Sequence, residues 1–298
     1  MERRPEPATR DKLQMALSMC IFGTIGILVR HIPLPSSVIA LIRGVIGTAF
    51  LLVVVYAGKK RLSWLSIRQN LWKLCLSGAL IGFNWILLFE AYRYTTVAVA
   101  TLCYYCAPIF VMLASPLVLK EKLTPVKGIS VVAALFGMVL VSGVLETGVP
   151  EKGSLTGIAL GLGAAVLYAM VVLLNKRLTD ISPYDTTIVQ LGSAALVLLP
   201  YTLLMERMGE LAFPPLTVLL LIIAGVVHTG VAYALYFGSM KSLKAQTVAL
   251  FSYIDPVVAI LLSALLLKEP LSLFSILGAV LILGSTLLSE LLDGRRGA

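Results

Sequence analysis

The chain alternates between long apolar runs and short polar links. Ten of the runs approach the roughly 20 apolar residues that a membrane-spanning helix needs. They cover approximately residues 13–30, 37–57, 71–91, 96–119, 126–145, 154–174, 185–205, 216–238, 245–267 and 273–290. Turn-forming residues punctuate the links, as at Pro33 and Pro35 and at Pro214-Pro215. The pattern predicts an all-α integral membrane protein with ten transmembrane helices.

Composition supports a membrane location. Of the 298 residues, 59% are hydrophobic and 13% are charged, with a mean hydropathy of +0.96, whereas about 25% are charged in a soluble domain. In a soluble protein the net charge of +9 would suggest a nucleic-acid partner. Here the charges lie almost wholly in the links between apolar runs. We therefore expect the lipid bilayer as the surroundings and no nucleic-acid partner.

The links differ in basic residues in an alternating way. Eighteen Lys and Arg residues fall on one side of the predicted membrane and five on the other. Short loops rich in Lys and Arg stay in the cytoplasm. The asymmetry predicts that the N and C termini are both cytoplasmic, which requires an even number of spans. It also predicts a multi-pass protein of the inner (cytoplasmic) membrane.

One stretch of the sequence occurs twice. Residues 82–124 align without a gap on residues 230–272, at an offset of 148. The identical pairs are spread along the stretch: Gly82 and Gly230, Phe89 and Phe237, Leu102 and Leu250, Tyr105 and Tyr253, Pro108 and Pro256, Ser115 and Ser263, Lys120-Glu121 and Lys268-Glu269. Matching Tyr-x-x-Pro and Lys-Glu motifs at one offset indicate an internal duplication. It divides the chain into a first repeat, residues 1–147, and a second, residues 148–298.

The number of helices in each repeat determines their relative orientation. Each repeat contains five predicted helices, an odd number, so the second copy must be inverted in the membrane relative to the first. Such inverted repeats are typical of secondary transporters, because two near-equivalent halves can open one central site to either face. Lys120-Glu121 would then face the cytoplasm and Lys268-Glu269 the outside.

At this level of detail the sequence resembles a known family. The features shared with it are Ile42-Arg43-Gly44 in the second helix, Tyr-x-x-Pro in the fourth and ninth, and the helix-ending segments 119–124 and 267–272. They resemble EamA-type members of the drug/metabolite transporter superfamily. The resemblance implies a central cavity lined by the first four helices of each half. It also implies export of amino acids, including aromatic ones, or carriage of other metabolites.

Two prolines mark possible breaks in the helices. Pro108 and Pro256 lie near the middle of the fourth and ninth helices, where each removes a backbone donor and leaves a carbonyl without its usual partner. In hydrocarbon such a carbonyl must find a partner or face water. Either neighbouring helices close a simple kink, or the helices are discontinuous at a substrate site.

Aromatic residues fall at mid-span in several helices. Aromatics commonly fill cores or sit at the membrane interface, yet a phenol at mid-membrane needs a polar partner. The alternative to core packing is an aromatic wall around a cavity for organic substrates. The candidates are Trp85, Tyr104, Tyr105, Tyr168, Tyr233, Tyr236 and Tyr253.

Arg43 is a candidate for binding a carboxylate. It belongs to a stripe of small residues on the second helix, so it is expected to point into the bundle. Its partner is either the substrate's carboxylate or Glu90, unless it only extends its head toward the interface. Glu90 could instead pair with Arg93, three residues further on.

His228 and Asp255 also fall near mid-membrane, where an ionisable residue is a functional candidate. His228 is either a hydrogen-bonded neutral imidazole or part of the substrate site. Asp255 either caps groups loosened by Pro256, or couples transport to protons or binds a substrate ammonium. Asn84 is a further polar candidate.

The sequence lacks signatures of other chemistry. There is no Gly-x-x-x-x-Gly-Lys loop for ATP, and Cys103-x-x-Cys106 lies in an apolar run without further ligands, so we expect no metal and no cofactor. The leading hypothesis is a transporter of small organic metabolites, and not an enzyme, acting as a monomer or homodimer. The alternatives are an intramembrane enzyme using His228 and Asp255, and a structural or sensory membrane protein.

Overall fold

The structure is a computed structural model. It describes residues 7–59, 61–118, 120, 125–141, 145, 152–240, 251 and 254–296. The described residues form α-helices joined by short links and one 3₁₀ turn, Met208–Glu210, and include no strand. The helices are α1 Pro7–Gly23, α2 Ile25–Arg30, α3 Ser36–Ala57, α4 Trp64–Tyr94, α5 Val97–Tyr104, α6 Ala107–Val118, α7 Pro125–Val141, α8 Lys152–Asn175, α9 Pro183–Met205, α10 Pro215–Gly225, α11 Ala232–Met240, α12 Ile254–Leu266 and α13 Leu273–Arg296.

Many of these helices are long and apolar enough to cross a membrane. Within the described part of the chain, seven helical stretches reach that length and hydropathy: Arg10–Arg30, Ser36–Ala57, Trp64–Tyr94, Val97–Val118, Gly153–Asn175, Pro183–Met205 and Pro215–Tyr236. Three further apolar helices are shorter: Gly128–Gly137, Ile254–Leu266 and Leu273–Ser285. The chain is therefore an all-helical, multi-pass membrane protein, as predicted. The expected ten spans and the cytoplasmic termini stay predictions.

Local sequence explains where several helices begin. The Thr96 hydroxyl accepts a hydrogen bond from the Val99 amide, and the Ser182 hydroxyl does the same for Asp185. These contacts satisfy amides that have no partner within the first turn of a helix. Pro183 and Pro215 occupy first-turn positions, where the missing N–H costs nothing.

The bundle is built around α4. This helix packs along α8 and α9, while α3 packs on α9 and α10, and α7 packs on α13. Backbones approach closely where glycines face a neighbouring helix. A Cβ on Gly78 of α4 would overlap the Gln190 carbonyl oxygen of α9, and one on Gly137 of α7 would lie 2.8 Å from the Gly278 carbonyl oxygen of α13. Small residues therefore set the helix spacing, as in other membrane bundles.

Three long helical stretches are interrupted. Thr24 separates α1 from α2, and Tyr105 and Cys106 separate α5 from α6. Between α10 and α11 the segment Val226–Val231 is a π-helix, a widened turn that is frequent at functional sites. Long irregular backbone is tolerated at membrane depth only where protein or a cavity surrounds it.

The two prolines that were expected to break helices both lie at the start of a helix. Pro108 is the second residue of α6, directly after the break at Tyr105 and Cys106. The fourth helix is thus discontinuous rather than simply kinked. Pro256 lies in the first turn of α12. Residues 252–253, immediately before α12, lie outside the described residues.

Candidate binding cavity

A cavity of about 280 Å³ lies among the interrupted helices. Arg43 and Asp255 contribute a guanidinium and a carboxyl group to its wall. Most of the other lining residues are aromatic. The lining residues are Met19, Phe22, Ile25, Arg43, Trp85, Leu88, Phe89, Tyr92, Thr101, Tyr104, Tyr105, Ala107, Tyr168, Tyr233, Tyr236 and Asp255. They come from α1 to α6, α8, α11 and α12 and from the break between α5 and α6.

The structure brings together most of the residues that were predicted to form a site. Eight of them line this one cavity: Arg43, Trp85, Tyr104, Tyr105, Tyr168, Tyr233, Tyr236 and Asp255. Tyr253, predicted as the counterpart of Tyr105, lies outside the described residues. His228, Glu90 and Asn84 do not belong to the lining.

Arg43 is buried, with 5% of its surface exposed. Its guanidinium carbon lies 4.4 Å from the centre of the Trp85 ring and 5.6 Å from that of Phe89. Its Nε donates to the Thr229 hydroxyl at 2.7 Å. A cation over an aromatic face is attracted by the ring quadrupole, more strongly when water is excluded. Arg43 is thus held inside the bundle by α4 and the π-helical segment.

The aromatic wall has two clusters. Phe22 packs edge-on against Tyr233 and Tyr236, with ring centres 5.2 and 6.4 Å apart. Tyr104 packs against Tyr105 and Tyr168 at 6.0 and 5.5 Å. Edge-to-face and tilted pairs at these distances are favourable. They present flat, apolar surfaces with phenol groups at the edges.

Asp255 lies on the same cavity as Tyr105, and both residues contribute to its wall. The backbone beside it is tightly packed, because a Cβ on Gly23 would lie 2.7 Å from the Asp255 carbonyl oxygen. The helix break at Tyr105 and the first turn of α12 therefore both belong to the cavity wall. The sequence position equivalent to Asp255 in the first repeat is Ala107, which also lines the cavity.

His228 does not line the cavity, and its ring contacts two interrupted helical stretches. Its Nε2 lies 2.7 Å from the Thr24 hydroxyl, at the break between α1 and α2, and its Nδ1 is 3.3 Å from the Ile223 carbonyl oxygen. Both ring nitrogens thus have partners, which agrees with the hydrogen-bonded interpretation. The ring joins the interruption at Thr24 to the π-helical segment.

Glu90 does not pair with Arg43. Its carboxylate accepts a hydrogen bond from the Ser36 hydroxyl at 2.6 Å and lies 3.8 Å from the Arg93 Nε. Of the two partners expected for Glu90 from the sequence, Arg43 and Arg93, the structure places Arg93 beside it. Asn84 is buried, and its side-chain amide donates to the Ala164 carbonyl at 2.5 Å. It therefore ties α4 to α8 rather than facing the cavity.

A cluster of polar contacts surrounds Glu269 near the cavity. Its carboxylate accepts hydrogen bonds from the Val97 amide at 2.9 Å and from the Ser263 hydroxyl, and lies 3.7 Å from Arg30. Arg30 also donates to the carbonyls of Tyr92 and Thr95. The cluster joins α2, α4, α5 and α12 beside Tyr92, which lines the cavity.

Some lining residues were missed from the sequence. Phe22, Phe89 and Tyr92 were not singled out, because each lies in an apolar run where an aromatic residue is commonplace. Thr229 was also missed, although it adjoins His228. Phe89 and its counterpart Phe237 belong to the duplicated stretch, so the repeat itself was a signal for that residue. In the described part of the chain, no group of three His, Cys, Asp or Glu residues is arranged to hold a metal.

Long apolar helices around an internal cavity with a buried arginine define a multi-pass membrane protein. Comparison with known proteins identifies its family. The sequence profile of the EamA-like transporter family matches the chain twice, over residues 12–143 and 155–291. The chain belongs to this family, within the drug/metabolite transporter superfamily, and is a membrane transporter.

Individual relatives agree with this assignment. The uncharacterized transporter YxxF of Bacillus subtilis (strain 168) is 30% identical over 290 residues, covering 95% of this chain and 91% of that protein. Protein PecM of Dickeya dadantii (strain 3937) is 27% identical, covering 74% of each chain. A crystal structure with 19% sequence identity superposes with a TM-score of 0.68, covering 95% of this chain and 98% of the other. That likeness concerns the fold alone.

Proposed function

We propose that the protein is a secondary-active transporter of small organic metabolites that carry a carboxylate, with amino acids, including aromatic ones, as the leading class. It moves them across the cytoplasmic membrane by alternating access, in the direction of export. The observation that carries the proposal is the buried Arg43 guanidinium, stacked on Trp85 in the wall of an aromatic cavity.

A buried arginine in such a wall suits a carboxylate. The guanidinium presents several N–H donors in one plane and matches a carboxylate in two-point geometry. The structure holds it by its Nε and by one face, through Thr229 and Trp85. The terminal nitrogens are the part of the group that a solute in the cavity can reach.

The rest of the cavity limits the size of the solute and the charged group that the solute can carry besides its carboxylate. Its volume of about 280 Å³ is near the lower end of the range for small-molecule sites, about 300–1,000 Å³. Asp255 offers a carboxylate for a substrate ammonium or for a proton that is exchanged with it. The tyrosine and phenylalanine rings suit a flat or apolar side chain.

Two features support the proposal that residues 1–147 and 148–298 are inverted repeats. The family profile matches each half separately. Residues 148 positions apart also line the same cavity, as in the pairs Trp85 with Tyr233 and Ala107 with Asp255. Ten spans in two inverted sets of five, with both termini in the cytoplasm, would place the Arg30–Glu269 cluster on the outer side. A monomer contains the whole cavity.

The enzyme alternative is not favoured. A general base must lie within hydrogen-bonding reach of the group that it deprotonates. The two ring nitrogens of His228 lie against the Thr24 hydroxyl and the Ile223 carbonyl, and neither has Asp255 as its partner. Only Asp255 of the two lines the cavity.

The test is uptake into proteoliposomes of labelled amino acids, each paired with the amine that lacks its carboxylate, with and without a proton gradient. The variants are Arg43→Gln and Asp255→Asn, with Arg207→Gln as the control. Arg207 is exposed and pairs with Glu210 at 3.2 Å, so its replacement removes a positive charge far from the cavity.

We expect saturable, mutually competitive uptake of the amino acids by the wild type and by Arg207→Gln. Arg43→Gln should lose the preference for the amino acid over its amine. Asp255→Asn should lose the effect of the proton gradient. Uptake that discriminates the paired solutes equally well without Arg43 would contradict the proposed site.

A further inference from the structure

We infer that Thr229 is a positioning residue for Arg43: it fixes the guanidinium by its Nε edge, so that the two terminal nitrogens face the cavity. The inference rests on the proposed function, in which Arg43 binds the anionic group of the solute. Thr229 does not line the cavity itself. It would act on the solute only through Arg43.

The hydrogen-bonding direction of the Thr229 hydroxyl suits this role. The hydroxyl donates its proton to the Ala224 carbonyl oxygen at 3.1 Å. It therefore has only acceptor capacity left, and it accepts the Arg43 Nε–H at 2.7 Å. A guanidinium can only donate, so the two groups are complementary. Thr229 is fully buried, and no solvent competes for this hydrogen bond.

The π-helical segment determines where the hydroxyl lies. In a regular α-helix a threonine hydroxyl bonds to a carbonyl three or four residues earlier. Here Thr229 reaches Ala224, five residues earlier, and the His228 Nδ1 approaches the Ile223 carbonyl at the same spacing. Both side chains close the widened turn of Val226–Val231. One residue fewer in this turn would rotate the residues that follow by about 100°.

The neighbouring helix fixes the rotamer of Thr229. A Cβ on Gly47 of α3 would overlap the Thr229 methyl group, so this methyl packs directly on the Gly47 backbone. Gly47 lies one helical turn after Arg43 on α3. With the methyl group held against Gly47 and the proton directed to Ala224, the hydroxyl oxygen is turned toward Arg43.

The guanidinium is thereby fixed on two sides. Thr229 holds the Nε edge, and the Trp85 ring lies 4.4 Å from the guanidinium carbon on one face. Among the residues that the structure describes, none accepts a hydrogen bond from the terminal nitrogens. A group that is oriented before the ligand arrives loses less freedom on binding.

The first test needs no substrate. It compares Thr229→Val, which has nearly the same shape but no hydroxyl, with Thr229→Ser, which keeps the hydroxyl. The full chain is labelled with ¹⁵N-arginine and reconstituted in nanodiscs, and Arg43→Lys assigns the Arg43 Nε–H signal. We expect slow hydrogen exchange at this Nε in the wild type and in Thr229→Ser, and fast exchange in Thr229→Val. Equal exchange in Thr229→Val and the wild type would overturn the inference.

The second test separates positioning from a merely structural role. Uptake of L-phenylalanine is compared with that of phenethylamine, which has the same ring but no carboxylate. Immobilising one long side chain on binding corresponds to about a 2- to 10-fold effect. We expect Thr229→Val to raise the KM for phenylalanine by about that factor and to leave the KM for phenethylamine unchanged. Thr229→Ser, which keeps the hydroxyl but lacks the methyl group that packs on Gly47, should recover most of the loss.

The two proposals fail in different ways. If Arg43→Gln leaves phenylalanine uptake unchanged, the assignment of Arg43 to the carboxylate is wrong, while the exchange measurement still tests Thr229. If Arg43→Gln abolishes the preference for phenylalanine but Thr229→Val does not reduce it, only the positioning role is wrong. Equal loss of both solutes in Thr229→Val would also overturn it, because damage to the fold does not distinguish them.

Discussion

Lys120 and Lys268, 148 positions apart, have the same left-handed backbone conformation, with φ of 58° and 54°. Each follows the end of a helix by two residues, α6 ending at Val118 and α12 at Leu266. Lys120 and Lys268 thus have the same backbone conformation at the same distance from the end of a helix. Local backbone geometry agrees with the duplication that was inferred from the aligned residues.

The left-handed conformation predicts a stabilising substitution. A residue with a Cβ pays roughly 1–2 kcal/mol for this conformation, whereas glycine does not. We expect Lys268→Gly to raise the apparent melting temperature of the purified protein, because the relief exceeds the flexibility that glycine adds to the unfolded chain. Lys268→Ala is the matched control, since it removes the charge but keeps the Cβ. An equal change in both variants would show that the charge, and not the backbone, determines the result.

The cluster at Glu269 predicts a change in access to the cavity. Arg30 and Glu269 belong to different halves of the chain, and their side chains lie 3.7 Å apart beside the lining residue Tyr92. Glu269→Gln keeps the shape but loses the ion pair, so this end should open more often. The measurement is the labelling rate of Leu88→Cys by an impermeant thiol reagent, in a chain whose native cysteines are replaced by serine. We expect faster labelling from the side that carries Glu269.

Two variants control this experiment. Arg30→Gln combined with Glu269→Gln should label no faster than the faster single variant, because both changes remove the same interaction. Arg207→Gln, which breaks an exposed pair with Glu210, should label like the wild type. Unchanged labelling in Glu269→Gln would mean that the ion pair does not keep this end closed.

The structure predicts that Asn84 contributes to stability and not to transport. Its amide donates to the Ala164 carbonyl between α4 and α8, away from the cavity lining. A buried hydrogen bond is worth about 0.5–1.5 kcal/mol. We therefore expect Asn84→Ala to lower the apparent melting temperature slightly and to leave the KM for transported solutes unchanged. A raised KM with unchanged thermal stability would show that Asn84 contributes to substrate binding and not to stability.

The helices could be predicted from sequence because the bilayer imposes a simple rule. The predicted run 37–57 corresponds to Ser36–Ala57, and 185–205 to Pro183–Met205. Length and hydropathy suffice for such elements, since every backbone group must be paired within the helix. The break before Pro108 was also predictable, because proline cannot complete the hydrogen bonds of a helix interior.

The interruptions without proline could not be predicted. Nothing in the sequence around Thr24 or His228 distinguishes a break or a π-turn from a regular helix. Both depend on contacts between segments about 200 residues apart, since the His228 ring joins Thr24 to its own helix. The predicted partner of Arg43 was Glu90 or a substrate, whereas the observed partner Thr229 depends on how α3 packs on the π-helical segment. Periodicity within one helix carries no information on such pairings.

Close helix packing leads to a last prediction, with a control in the same chain. A Cβ on Gly78 would overlap the Gln190 carbonyl oxygen, which belongs to the backbone of α9 and cannot move aside alone. A Cβ on Gly284 of α13 meets nothing within 4 Å. Overpacking a well-packed interface costs about 1–3 kcal/mol, whereas alanine in an open helical position gains up to about 1 kcal/mol over glycine. We expect Gly78→Ala to lower the melting temperature and the yield of folded protein, and Gly284→Ala to leave both unchanged or raised. Equal behaviour of the two variants would mean that α4 and α9 are not in contact at Gly78.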